Sequence, residues 1–280
     1  MLDFLYPIED FFVQKKYISQ TIGGKIKKHT RKEGLPDLSG VQVAIFSLSN
    51  SENILKNSFR DAFYSLYYGN WDIVLADLGN IPEGTTREDT FVAIREVTAH
   101  LLKQGIIPIL LAEGVENTYA LYRSFDTMEQ MVNLACVNAL FGFSNEYEIF
   151  AEDSYMSRIL METPTQLNHF TNIGYQTYYN PQESIDLLQK MFFESYRLGE
   201  ITSYMEQVEP ILRNMDLVSI DMTSVQASDT DMPKGFVNGF TAREICTISR
   251  YAGLSSQTSV LGIFNPPVSE RGKMLVGEVL

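Results

Sequence analysis

From residue 41 onward, short runs of consecutive apolar residues alternate with stretches whose apolar positions recur every three or four residues. Runs of the first kind suit strands buried on both faces, and stretches of the second suit amphipathic helices. Val41–Phe46 reads as a strand. Asn53–Tyr68 has helical spacing through Ile54, Phe59, Phe63, Leu66 and Tyr67. Ile73–Leu78 reads as a second strand with an exit loop from Gly79 to Thr86, and Thr90–Gln104 as the next helix.

The alternation continues to the end of the chain. Strands are expected at Ile106–Leu111, Val132–Val137, Leu217–Asp221 and Ser259–Phe264, and at Asn168–Tyr179 together with its exit loop. Helices are expected at Thr118–Phe125, about Ser154–Glu162, Pro181–Arg197, Thr241–Ala252 and Ser269–Leu280. A polar, aromatic loop runs through Asp153. Pro181 suits an early helical position, and Gly199 and Gly253 suit stops. The last helix ends at Val279-Leu280 without a Gly or Pro, which leaves a shortened helix and a frayed natural end equally open. About eight strands between helices, with no linker or repeat, predict an α/β protein with a central, mostly parallel sheet. One domain over 1–280 is expected, with 1–40 as an N-terminal extension packed on it. In such sheets the ligand crevice lies outside the carboxyl ends of the strands, so residues 111–117, 138–143 and 221–229 are expected to share one crevice.

Composition narrows the chemistry. Lys+Arg 22 against Asp+Glu 35 gives net charge -13, which repels phosphate backbones and anionic lipid, so neither nucleic acid nor membrane is an expected partner. The basic cluster of Lys25, Lys27, Lys28, His29, Arg31 and Lys32 has no interleaved aromatic residue and reads as a solvated loop. No apolar run approaches the roughly 20 residues of a membrane span, and the N-terminus MLDFLYPIEDFF carries acids where a signal peptide needs a basic start. A cytoplasmic place is expected. Two cysteines, Cys136 and Cys246, lack the pairing of a zinc site and suit a reducing compartment.

One stretch carries specific chemistry. Ser219-Ile220-Asp221-Met222-Thr223-Ser224-Val225-Gln226-Ala227, then Thr241-Ala242-Arg243-Glu244, delivers a strand end, a Gly-containing loop and a helix start. This order resembles the S-x-D-x-D-x-x-D-P, Gly-rich loop and T-x-R-E pattern of the ureohydrolase family, which comprises arginases, agmatinases and formimidoylglutamases. The resemblance runs from about Val41, and formimidoylglutamases are the nearest in appearance. It implies a three-layer α-β-α arginase-like fold, a homo-oligomer, and hydrolysis of a C–N bond in a linear amidine by hydroxide on two manganese ions.

Laid on this sequence, the family's ligand positions are mostly without ligands. The G-G-D-H-S motif falls at Ala112–Glu116, with Val115 in place of the histidine. The D-A-H-x-D motif falls at Asn138–Gly142, with Asn138, Leu140 and Gly142 at its three ligands. Thr223 replaces the second Asp of S-x-D-x-D, and Gln226-Ala227 replaces the downstream Asp-Pro, so Asp221 is the one strong ligand left. Two divalent ions on one carboxylate would stay undercompensated in a partly dry crevice. The expectation is an arginase-fold protein without the dinuclear site and with no cofactor, serving in binding or assembly. The alternative is a divergent hydrolase of the same class. The ligand would be a small cation or an amino acid held by Asp221, Glu244, Asn138 and Thr223, with Asp221 and Glu244 the candidates for any catalysis. Glu113 and Glu116 could join Asp221 in a single hard-cation site, or be solvated loop acids. Glu244 also has the capping-box spacing from Thr241, which alone accounts for both residues.

Other chemistries find less support. The three histidines, His29, His100 and His169, sit at no motif position. Cys136 near the end of its strand reads as buried packing. Ser154, Ser157 and Ser219 lack the G-x-S-x-G elbow, and Gly23-Gly24 and Gly84 lack a phosphate-binding pattern. The aromatic run Phe63-Tyr64-Ser65-Leu66-Tyr67-Tyr68 suits core and subunit contacts alike.

Overall fold

The apolar runs become strands of one parallel sheet: β1 (Lys27–Lys28), β2 (Val43–Ser49), β3 (Leu75–Pro82), β4 (Ile107–Ala112), β5 (Val132–Val137), β6 (Leu167–Tyr175), β7 (Glu194–Arg197), β8 (Leu217–Asp221) and β9 (Val260–Phe264). The computed structural model describes residues 2–49, 59–128, 130–143, 154–233 and 235–280. The expected helix start at Asn53 and the loop from residue 144 through Asp153 lie outside the described residues. The strand order is β1-β3-β2-β4-β9-β8-β5-β6-β7, and every strand pairing is parallel. β8 and β9 are buried along their whole length, which is why their sequences are continuous apolar runs.

Twelve helices are described: α1 (Asp10–Gln14), α2 (Ile22–Lys25), α3 (Phe59–Ser65), α4 (Arg87–Lys103), α5 (Thr118–Arg123), α6 (Tyr155–Met161), α7 (Gln182–Lys190), α8 (Leu198–Ser203), α9 (Val208–Leu212), α10 (Ala227–Thr230), α11 (Ala242–Leu254) and α12 (Glu270–Val279). Strand side chains alternate between two cores. Phe46, Leu78, Leu110, Leu134 and Phe264 pack with α4, α5, α6 and α7, whereas Ile45, Ile109, Val137, Ile220 and Ile263 pack with α3, α8, α9, α11 and α12. The result is helices on both faces of the sheet. Among the described residues no helix is long and apolar enough to cross a membrane.

Among the described residues the sheet has nine strands, close to the eight expected, and the short edge strands β1 and β7 fall where the sequence suggested other structure. The helix expected over Pro181–Arg197 ends at Lys190 because Phe192 takes left-handed backbone (φ 58). Phe193 then packs on Phe170, and β7 pairs with β6. The basic cluster is likewise not a solvated loop. Lys27–Lys28 forms β1, and the His29 ring is buried with Nδ1 2.9 Å from the Leu78 carbonyl oxygen. The missing aromatic partners come from elsewhere in the chain: Lys28 lies over the Tyr17 and Tyr64 rings, and Lys25 over Tyr68.

A buried ion pair ties α3 to β3. Arg60 on α3 is fully buried, donating Nε to Asp77 Oδ2 at 2.7 Å and Nη2 to Asp77 Oδ1 at 3.1 Å. Its remaining donors reach Asn80 Oδ1 (2.9 Å), the Gly79 carbonyl (2.9 Å) and Ser47 Oγ (3.4 Å). Tyr64 and the Gly79 N–H also donate to Asp77. Burial alone would lower the guanidinium pKa, but the Asp77 charge and hydrogen bonds hold it above its usual value. A bidentate pair with its other donors filled is what makes a buried charge tolerable. Replacing Asp77 by Ala strands that guanidinium, and urea unfolding should show a loss of about 3–5 kcal/mol. Tyr64→Phe, which removes one of Asp77's donors, should cost about 1 kcal/mol in the same measurement.

Candidate functional site

The strand order builds the crevice. β4 and β5 follow one another in the chain but are separated in the sheet by β9 and β8, so four strand ends open side by side. Asp221, the last residue of β8, is buried, with its carboxylate surrounded by donors. Asn265, just after β9, gives Nδ2 to Oδ1 at 3.0 Å, and the Thr223 N–H reaches the same oxygen at 2.9 Å. Asn138, just after β5, gives Nδ2 to Oδ2 at 3.2 Å.

Both amides are fixed in that orientation. Asn138 Oδ1 accepts the Leu140 N–H at 3.0 Å, and Asn265 Oδ1 accepts the Gly114 N–H, from the loop after β4, at 2.9 Å. Burial pushes the Asp221 carboxyl above its usual range, while the hydrogen bonds from Asn265, Thr223 and Asn138 pull it back. Asn265, the Thr223 N–H and Asn138 all donate to the carboxylate, which favours its ionised form against the effect of burial.

Beside this group, Tyr155 fills the crevice. It opens α6 and is buried, and its ring takes the space a Cβ on Gly142 would need. Gly142 has φ +76, and its carbonyl accepts Ser154 Oγ (2.6 Å) and the Met156 N–H (3.3 Å), which docks the start of α6 onto this turn. The Tyr155 hydroxyl lies 3.9 Å from Cys136 Sγ. Burial holds the Tyr155 hydroxyl well above its usual value and pushes the Cys136 thiol up to about 12.

The structure brings three of the sequence candidates together, Asp221, Asn138 and Thr223, and sends the others elsewhere. Glu244 closes a capping box, accepting the Thr241 N–H at 2.7 Å while its own N–H reaches Thr241 Oγ1 at 3.3 Å. Glu113 and Glu116 line a cavity of about 230 Å³ between the β3 exit and the start of α4, shared with Glu83, Thr86, Arg87 and Asn117. Val115 is partly buried against the core. His100 on α4 bonds Gln104, and His169 in β6 faces Glu194 of β7 at 3.6 Å. Ser154 and Ser157 bond each other at the start of α6, and Ser219 bonds Thr118.

Among the described residues no three His, Cys, Asp or Glu side chains come together as metal ligands. The Asp221 oxygens already accept three hydrogen bonds, and Tyr155 occupies the room at position 142, so the described residues do not fit a dinuclear manganese pair.

The sequence matches no protein-family model and no curated protein. Solved structures match its shape over most of its length. A formiminoglutamase with Mn2+2 from Trypanosoma cruzi superposes with TM-score 0.75 at 14% identity, covering 92% of this chain and 95% of that one. The formimidoylglutamase of Bacillus subtilis gives 0.72 at 15%, covering 85% and 84%. The agmatine ureohydrolase of Thermoplasma volcanium gives 0.72 at 15%, covering 96% and 94%. The chain has the arginase-like fold. Its likeness to a formiminoglutamase carrying manganese corrects the expectation of no cofactor, because manganese-bound proteins are among those that share its shape.

Asn265 and Tyr155 escaped the sequence reading. Asn265 follows an apolar strand, precedes Pro266-Pro267 and has φ 51, a conformation asparagine tolerates better than most residues, so an Asn-Pro-Pro at a strand end was the available signal. Two outcomes are expected. Asp221→Asn turns an amide donor toward donors that cannot flip, and should cost about 1–3 kcal/mol in urea unfolding; adding Asn138→Asp restores an acceptor and should recover part of it. Mass spectrometry after alkylation at neutral pH should find Cys136 unmodified in the native protein and modified in denaturant.

Proposed function

We propose that this chain is an arginase-fold protein that works by binding, its crevice organised around the hydrogen-bonded Asp221 in place of a dinuclear hydrolytic centre. The observation that carries this reading is the joint change at the strand ends. Asn138 and Asn265 supply donors to Asp221, and Gly142 makes room for Tyr155. A carboxylate saturated by donors and a buried tyrosine give a rigid floor. The ligand is a small cation or an amino acid meeting the cavity lined by Glu83, Glu113, Glu116 and Arg87, whose carboxylates outnumber its one cation.

A second reading, a divergent hydrolase of a C–N bond in a linear amidine, is favoured by the likeness to formiminoglutamases and an agmatine ureohydrolase. One experiment separates the two. The protein is incubated with manganese and the amidine substrates of those enzymes, and formamide and urea release are followed, alongside melting temperatures with cationic and amino-acid ligands. Binding predicts a raised melting temperature without turnover. Manganese-dependent release over many turnovers, abolished by Asp221→Asn in a folded protein, would establish the hydrolase and overturn the binding reading.

A further inference from the structure

Between the end of α3 and the start of β3 the chain exposes nearly every side chain it carries. Of residues 66–74 only Tyr68 is buried, and Leu66, Tyr67, Trp71, Ile73 and Val74 are large apolar side chains turned to solvent, Tyr67 at 66% and Trp71 at 63%. Tyr68 is the anchor. Its N–H donates to the Gln20 carbonyl at 2.9 Å, and its ring meets the Lys25 ammonium at 4.4 Å and the Trp71 ring at 6.4 Å. A Thr21–Tyr67 bridge and a bond from the Ile22 N–H to the Leu66 carbonyl (2.8 Å) fasten the segment before β1 alongside, and the Thr21 N–H ties in Ile18, itself 62% exposed.

The loop lies far from the crevice. It leads into the first residue of β3, where Leu75 pairs with Val43 of β2 and the Gln42 N–H reaches the Val74 carbonyl, so it sits at the amino edge of the sheet whereas the crevice opens at the carboxyl edge. Exposed apolar residues scattered singly are ordinary, but five within nine consecutive positions mark a surface that meets a partner.

Charge and side-chain type select the partner. Residues 11–32 hold seven Lys and Arg and no acid; the whole chain is -13, so the other residues together carry -20. Lys15 pairs with Asp61 and Arg31 with Asp10 at 3.6 Å, while Lys16, Lys25 and Lys32 are exposed; Asp72 is the one acid in the loop itself. Charges beyond the Debye length of about 8 Å are largely screened at physiological salt, so a surface meeting this edge feels its lysines more than the distant acids. The average charge that disfavours anionic lipid therefore does not describe this edge. Leu66, Ile73 and Val74 have no ring face on which a nucleic-acid base could stack, whereas Trp and Tyr beside aliphatic chains and lysines suit the boundary between lipid headgroups and acyl chains. We infer that the amino edge of the sheet docks on an anionic membrane surface, with Tyr67, Trp71 and Ile73 entering the headgroup layer and Lys16 and Lys25 meeting its phosphates. The crevice then faces away from the bilayer.

Trp71 is the chain's single tryptophan, so its emission reports on this loop alone. Phosphatidylcholine vesicles containing phosphatidylserine should carry the protein down on centrifugation and move Trp71 emission to shorter wavelength, with binding lost as salt rises. Tyr67→Ser should weaken binding about tenfold or more and Lys25→Gln about fivefold, each with circular dichroism unchanged. A protein that stays in the supernatant with unshifted emission at low salt overturns the inference, as does vesicle binding that Tyr67→Ser leaves intact or that needs no phosphatidylserine. Emission that shifts on single-stranded oligonucleotides and not on vesicles assigns the edge to nucleic acid and overturns it equally.

Discussion

A carboxylate with almost no contact with water sits where four strands end, and the loops around it are arranged to supply its hydrogen bonds. Asp221 is reached from β5 by Asn138, from β9 by Asn265 and from its own turn by Thr223, and Asn265 in turn receives the loop that follows β4. An ionised group buried without donors would cost more than a small domain's stability margin, so this set is close to obligatory once Asp221 is retained. It also performs a mechanical task. The loops at the carboxyl edge, the part of an α/β sheet with the least backbone pairing of its own, are cross-linked through one side chain.

The buried Arg60–Asp77 pair plays the corresponding part at the other side of the sheet. There the partners come from α3 and β3, and the same group of side chains accepts the segment before β1, with Glu9 reaching Asn80. Both clusters replace solvent by donors and acceptors on fixed backbone, and both draw on asparagines whose amides are held in one orientation.

Most of the sheet was legible in the sequence because central parallel strands are apolar on both faces, and Val132–Val137 and Leu217–Asp221 stand where the pattern placed them. The edges were not, because β1 and β7 are two and four residues long and largely polar. The buried cluster at Arg60 was hidden for a different reason: its partners lie on separate elements, and only the fold unites them. At the site, Asp221 and Asn138 were visible through resemblance to known motifs. Asn265 and Tyr155 were not, since each acts through space at a position that the motif does not include. The Thr241–Glu244 spacing allowed a cap or a ligand pocket, and the structure forms the cap.

Gly142 and Tyr155 give the crevice a property that no single residue has. A side chain at position 142 overlaps the Tyr155 ring, and an empty position 142 without that ring leaves a hole against Cys136 and the Gly142 turn. The two positions therefore act as one lock with two parts, and each holds the other in its present state. Replacing Gly142 by any residue with a side chain requires Tyr155 to change as well, and either change made alone leaves a clash or a poorly packed hole. In sequence space this pairing is separated from any other at the same two positions by a barrier rather than by a slope.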